Sequence, residues 1–202
     1  MYKQFAPALV ALLCVAAGCG GTEEVSAEQL SALVLQPADV GRSLERFDEG
    51  AQVGADQRKG PRGDRTRFGR KEGWKARYRR LGSTSAVRGP LVVESRVDLF
   101  PDEDGAEQDL SAYRMEFRLT AAAAAAVGVG RLVRAPQLGE ESAAYTQQQG
   151  IGAGAARYYT IAWRQGKLTS SVLVQGYEGR LRLGEVARLA RAQERRIAEA
   201  LG

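Results

Sequence analysis

The side chains that most often carry out enzyme chemistry are scarce in this chain. Its 202 residues include no histidine and only two cysteines, so the usual general base near neutral pH and the commonest metal ligand are both missing. Aspartate and glutamate are plentiful and could form a pair for acid–base chemistry, but the sequence alone does not place two of them within ~5 Å of each other. The enzyme class that competes with a binding protein is therefore a carboxylate-dependent hydrolase that works without histidine.

Two short motifs invite a ligand-binding interpretation. Gly150 to Ala155 has the G-x-G-x-x-A spacing of a dinucleotide-binding turn, but an aromatic strand pattern follows where that turn requires a helix. The acidic run from Asp102 to Gly105 resembles part of a calcium loop, yet Phe100 and Ser111 would occupy two essential ligand positions. We therefore expect a simple connection at the first motif, a helix N-terminus at the second, and neither a metal ion nor a cofactor.

The densest charge lies between residues 57 and 80, where eleven basic side chains accompany two acidic ones. The whole chain has a net charge of only +5, so the remainder is net acidic. Such a segment either is a solvated charged loop or binds anionic lipid headgroups or an anionic polymer of the cell envelope. The residues that we predict as anion contacts are Arg58, Lys59, Arg62, Arg65, Arg67, Arg70 and Lys71.

The N-terminal segment predicts where the protein is located. Lys3 precedes residues 5–18, which carry no charge and are mostly apolar, and this is the layout of a signal peptide. As a helix this segment would extend only ~21 Å, which is too short for a hydrocarbon core of ~30 Å. We expect residues 1–18 to be removed after export.

The sequence from Val15 to Cys19 resembles the lipobox of bacterial lipoproteins, with Ala16 where leucine is usual. The resemblance implies that Cys19 becomes the lipidated first residue of the mature chain and that residues 19–25 form a tether. Several acyl chains together give stable attachment to a membrane. The expected location is the extracytoplasmic face of the cell membrane, where nucleic acid is not an expected partner; plain secretion and an uncleaved anchor are the alternatives.

The remaining residues, 26–202, are predicted to form one domain that contains three helices. Ser26 and Gln29 have the spacing of a capping box, and we expect Pro37 to end the short helix that follows. Apolar side chains recur at helical spacing from Ala106 to Ala124 and again from Leu183 to Leu201. The glycines at 128 and 130 should end the middle helix, and residues 48–73, with six glycines, should form a long flexible loop.

Four strands are predicted from alternation of apolar and polar residues. One hairpin joins the strand around Trp74 to "LVVESRVDLF", in which Val93, Ser95 and Val97 share one face while Glu94, Arg96 and Asp98 lie on the other. A second hairpin turns at Gln165-Gly166-Lys167. The predicted fold class is α+β: an antiparallel sheet of four to six strands, flanked by a long middle helix and a C-terminal helix.

The order of these elements resembles the small, uncharacterised surface lipoproteins of actinobacteria. The resemblance rests on "LVLQPADVG", the basic loop, "VVESRVDLF", "YYTIAWRQGKLTSSVLVQG" and the terminal "LARAQERRI". It implies an α+β sandwich of the PsbP-like type or of the type found in the extracellular sensor domains of receptor kinases.

We therefore predict a membrane-anchored lipoprotein of the cell envelope that binds a ligand or partner without catalysis. Its expected partners are membrane lipid, through the anchor, and an anionic lipid or envelope polymer. A hydrophobic pocket between the sheet and its covering helix would be the binding site. A carboxylate-dependent hydrolase and a purely structural protein are the alternatives, and the sequence leaves the ligand and the oligomeric state open.

Overall fold

The computed structural model describes residues 25–51, 68–83, 87–125 and 129–202. Seven strands form one antiparallel sheet in the order β1-β2-β3-β7-β6-β5-β4. The strands are β1 (Leu44–Ala51), β2 (Glu72–Arg80), β3 (Val92–Leu99), β4 (Gly130–Val133), β5 (Glu141–Gln149), β6 (Ala156–Gln165) and β7 (Leu168–Tyr177). The helices are α1 (Leu30–Leu33), α2 (Pro37–Val40), α3 (Glu103–Ala125) and α4 (Leu183–Leu201), and short 3-10 turns occur at Ala27–Gln29 and Gly152–Gly154.

The larger hydrophobic core lies between the sheet and the helices α1, α2 and α4. Alternation along β3, β6 and β7 directs fully buried side chains such as Val97, Trp163 and Val172 to this face. Helix α4 contributes an apolar stripe at helical spacing, including Leu189 and Ile197. Burial of this kind contributes about 25 cal/mol per Å² of apolar surface, so this layer stabilises the domain most.

One polar bridge crosses that core. The Ser95 hydroxyl accepts a hydrogen bond from the Leu35 amide at 2.9 Å and donates to Gln193 Oε1 at 2.8 Å. Gln193 Nε2 in turn donates to the carbonyl of Arg96 at 2.9 Å. Both polar side chains are fully buried and satisfied, so the bridge fixes α4 and the segment after α1 against the centre of β3.

Helix α3 covers part of the opposite face. Asp102 Oδ1 accepts the Gly105 amide at 2.8 Å and satisfies a backbone donor of the first helical turn. The Thr169 hydroxyl donates to the Ala106 carbonyl at 3.1 Å, and farther along Phe117 stacks on Tyr145 with 5.7 Å between ring centroids. The acidic run at 102–104 therefore serves a helix N-terminus, as predicted.

The predicted fold class is confirmed, but the sheet is larger than expected. It has seven strands rather than four to six, because β1, β4 and β5 were not recognised. Residues 48–51 and 72–73 of the predicted loop belong to strands. The first helix ends at Leu33, and Pro37 begins α2 instead, where its missing N–H costs nothing. Gly130 begins β4 instead of ending α3, which runs to Ala125.

Some predictions fall on residues outside the described ranges. These include residues 1–24, with the signal peptide, most of the tether and Cys19, and residues 52–67 of the basic loop. Among the helices that the structure does describe, none combines the length and the apolar composition of a membrane span.

Candidate functional site

Helix α3 leaves a part of its sheet face uncovered. It packs mainly against β4, β5, β6 and β7, and less against β1, β2 and β3. Two cross-strand rows run across the less covered part. They are Arg77–Glu94–Leu173–Thr160 and Arg79–Val92–Gln175–Tyr158. We call this surface, with its neighbours Asp48, Lys75 and Arg96, the open sheet face; its row side chains are all at least partly exposed, whereas Arg96 is buried at its border.

Ion pairs connect the first three strands across the open sheet face. Arg77 Nε donates to Glu94 Oε2 at 2.7 Å, and its Nη1 donates to Asp48 Oδ2 at 3.2 Å. One guanidinium thus binds carboxylates on both neighbouring strands, which suits the planar fork of arginine. The arrangement holds Glu94 in a charge-assisted hydrogen bond at the centre of the surface.

A second ion pair, between Arg70 and Asp98 near the C-terminal end of β3, is buried. Arg70 Nη1 lies 2.7 Å from Asp98 Oδ1, and the two side chains are only 5% and 1% exposed. Gly73 is the residue opposite Asp98 on β2. A Cβ atom at Gly73 would lie 2.2 Å from Asp98 Oδ1, so the absence of a side chain at this position makes room for the pair.

Arg96 lies on β3 between Glu94 and Asp98, the carboxylates of these two ion pairs. It is 3% exposed, and its Nε atom has no hydrogen-bond partner among the described residues. The carboxylates two residues before and after it, Glu94 and Asp98, already bind Arg77 and Arg70. Its neighbours across the strands are Lys75 and Ser171, neither of which carries a negative charge. Burial of a guanidinium nitrogen without a hydrogen-bond partner is costly.

Two cavities lie against α3. The larger, of about 530 Å³, is beside the first half of the helix and is lined by Phe68, Asp104, Glu107, Gln108, Ser111, Ala112 and Met115. The second, of about 250 Å³, lies between the helix and β4–β5, where Phe117, Leu132 and Val133 are among its lining residues. This second cavity corresponds to the pocket predicted between helix and sheet, and it is smaller than most ligand pockets.

The structure describes two of the seven predicted anion contacts. Arg70 forms an ion pair with Asp98, and its side chain is nearly buried. The Lys71 side chain is exposed, and the Lys71 amide donates to the Leu99 carbonyl at 2.8 Å. The other five lie outside the described residues: Arg58, Lys59, Arg62, Arg65 and Arg67. Within the described part of the chain, no group of three or more acidic or cysteine side chains is placed to hold a metal ion.

Arg96 was not among the site residues predicted from the sequence. Alternation correctly placed Glu94, Arg96 and Asp98 on one face, but it did not show that Arg96 and Asp98 are buried there. The available signal was three charged side chains at every second position of a strand whose other face is wholly apolar apart from Ser95. In a central strand such charges are more often engaged in contacts than solvated.

Comparisons with known proteins support the type of fold that was predicted from the sequence. No protein-family model matches the sequence, and no curated protein matches it significantly. The structure is similar to the crystal structure of the extracellular domain of PknH from Mycobacterium tuberculosis, with a TM-score of 0.64 and 14% sequence identity over 89% of this chain and 100% of that one. At this identity the likeness establishes that the two chains share a fold.

Proposed function

We propose that this protein is a lipid-anchored domain of the cell envelope that binds an anionic ligand on the open sheet face without catalysing its conversion. The observation that carries the proposal is Arg96, a buried arginine whose Nε atom has no partner among the described residues. A buried cation of this kind lowers the stability of the folded chain. An anionic group bound against it would recover that free energy and would form a charge-assisted hydrogen bond.

The surroundings of Arg96 suit recognition better than chemistry. Lys75, on the neighbouring strand, has a side chain that is 13% exposed, and its Nζ atom lies 3.9 Å from Asp48 Oδ2. Gln175, Tyr158 and Thr160 supply neutral hydrogen-bonding groups on the same surface. Glu94 already accepts a hydrogen bond from arginine, so it is occupied in a structural role rather than poised as a general acid or base.

The cellular location in this proposal rests on two supports. The first is the likeness of residues 15–19 to a lipobox, which assigns the anchor to Cys19. The second is the fold, which is shared with the extracellular domain of PknH. An anchored domain on the outer side of the membrane meets anionic lipids and envelope polymers, and either class carries groups that would bind an arginine.

The anchor is tested with the two cysteines as a matched pair. Cells that produce Cys19→Ala or Cys14→Ala are labelled with radioactive palmitate and separated into membrane and soluble fractions. We expect the wild type and Cys14→Ala to be labelled, and Cys19→Ala to be unlabelled. Palmitate on Cys19→Ala, or loss of label from Cys14→Ala alone, would refute the assignment.

Binding on the open sheet face is tested on full-length protein purified from its native membrane in mild detergent. Compounds released by denaturation are compared by mass spectrometry among the wild type, Arg96→Met and Arg188→Met, the last being an exposed arginine of α4. We expect an anionic compound with the wild type and Arg188→Met that is depleted about tenfold or more in Arg96→Met. Equal amounts in all three proteins, or no enriched anion at all, would count against the proposal, provided that circular dichroism shows Arg96→Met to be folded.

A further inference from the structure

A second group of arginines surrounds a cavity at one end of the sheet. The cavity has a volume of about 320 Å³ and is lined by Arg88, Gly179, Arg180 and Arg182. It lies where the connection from β2 to β3 meets the connection from β7 to α4, away from the residues of the open sheet face. The Gly89 amide donates to the Arg180 carbonyl at 2.9 Å and joins the two connections.

The backbone around this cavity is held in place by turns and by a fourth arginine. Gly89 and Gly179 have φ values of +83° and +71°, which glycine adopts without the steric cost that other residues pay. Arg80 Nε donates to the Pro90 carbonyl at 2.8 Å, and its Nη2 donates to the Arg88 carbonyl at 3.3 Å. The position of Arg88 is therefore fixed by contacts with β2.

Two of the arginines that line this cavity carry no ion pair among the described residues. Arg88 and Arg182 form no ion pair with any residue that the structure describes, and the Arg180 guanidinium lies 5.8 Å from the centre of the Tyr177 ring. Two carboxylates are close in the chain. Glu178 binds Arg157, and Glu185 accepts the Arg182 amide at 2.9 Å. Arg88 and Arg182 therefore bring two positive charges to this cavity.

Helix α4 adds to the positive electrostatic potential at this cavity. Its 19 residues begin directly after Arg182, so the positive end of its dipole lies next to that residue. Guanidinium groups bind phosphate oxygens in a bidentate manner, and several of them around one cavity favour a group with more than one negative charge. The volume exceeds what a single phosphate needs.

We propose that this cavity is a binding site for a phosphate-bearing group, either a diphosphate or a phosphomonoester. Arg88 and Arg182 contact the phosphate oxygens directly, and Arg180 forms the wall of the cavity next to Tyr177. A free diphosphate and a lipid headgroup present the same oxygens, so the experiment distinguishes these two sources. The site is independent of the ligand proposed for the open sheet face.

The test titrates full-length protein with inorganic pyrophosphate and, separately, with dihexanoyl phosphatidic acid below its micelle concentration, by isothermal titration calorimetry. Arg88→Gln combined with Arg182→Gln removes two charges from the cavity. Arg188→Gln combined with Arg191→Gln removes two charges from the exposed side of α4 and is the matched control. We expect the cavity variant to bind at least about tenfold more weakly than the wild type, and the control to bind normally.

The results distinguish a soluble phosphate from a lipid headgroup, and they also show whether the proposal fails. Binding of pyrophosphate alone identifies a soluble phosphate, and tighter binding of the phosphatidic acid identifies a lipid headgroup. An equal loss in both double variants would mean that only net charge matters and would overturn the proposal. Failure of both probes to bind the wild type would overturn it as well.

Discussion

Arg96 is buried, and its Nε atom has no hydrogen-bond partner among the described residues. We expect Arg96→Met to raise the free energy of unfolding by about 1–3 kcal/mol, because it removes a buried polar atom that lacks this partner and keeps an apolar chain of similar length. Urea denaturation of the protein stripped of bound compounds measures the change. Residues that reduce stability while serving binding are typical of functional sites.

The matched control for Arg96→Met is Arg79→Met. Arg79 lies on the same side of β2 with a side chain that is 61% exposed and pairs with Glu45. Its replacement should change the free energy of unfolding by no more than about 0.5 kcal/mol. A loss of stability in Arg96→Met would show that the guanidinium is satisfied in the folded chain and would remove the main support for an anionic ligand.

Gly73 is the residue whose lack of a side chain permits the buried Arg70–Asp98 pair. In Gly73→Ala the new Cβ atom would lie 2.2 Å from Asp98 Oδ1 and 3.2 Å from the Val97 carbonyl oxygen. Asp98 would have to move, and breaking a buried ion pair costs on the order of 3 kcal/mol. Gly50→Ala on β1, where a Cβ meets nothing within 4 Å, is the control. Thermal unfolding that is equally affected by both substitutions would contradict this account.

At the scale of elements, α2 is joined to α4 through Asp39. Asp39 Oδ2 accepts hydrogen bonds from Arg196 Nε at 2.8 Å and from the Gln36 amide at 2.7 Å. Burial by itself raises the pKa of Asp39, but the hydrogen bonds from Arg196 and Gln36 outweigh it, so the pKa is lower than the ordinary value of 3.8. The folded state therefore holds the proton less tightly than the unfolded chain does.

This lowered pKa predicts how the contact between α2 and α4 depends on pH. The stabilisation is complete above pH 3.8 and is lost as the pH falls through the lower pKa of the folded state. We expect wild type and Asp39→Asn to differ by about 1 kcal/mol or less near neutral pH and to converge in acid. Urea unfolding at a series of pH values measures this difference. Glu199→Gln, on the exposed side of α4, should match the wild type throughout; a difference for Asp39→Asn that persists unchanged in acid would contradict the prediction.

The strands that sequence analysis missed share a weak local pattern. In β1 only Leu44 is buried, and the strand pairs with β2 alone at the edge of the sheet. Strand β4 has four residues and forms the other edge. Strand β5 consists largely of alanine and glutamine, which have little intrinsic preference for strands. These elements form because they pair with stronger neighbours, and such pairing leaves no periodic signal within the segment itself.

At the scale of the whole molecule, the mature domain is expected to be stable without any disulfide. The only cysteines in the sequence are Cys14 and Cys19, the first of which is predicted to be removed and the second to be lipidated. The urea midpoint of purified protein should therefore be the same with and without dithiothreitol. A lower midpoint in the reductant would show that a disulfide contributes to stability and that the predicted processing is wrong.

The fold class, the face of each strong strand, the long middle helix and the C-terminal helix could all be predicted from the sequence. These follow from periodicity, which is a property of neighbouring residues. Three features became visible only in the folded chain: α3 lies mainly over β4 to β7, Arg96 is buried between two carboxylates bound to other arginines, and Arg88 and Arg182 meet at one cavity. The physical reason is that burial and charge pairing depend on strand order and helix placement, which bring together residues far apart in the chain.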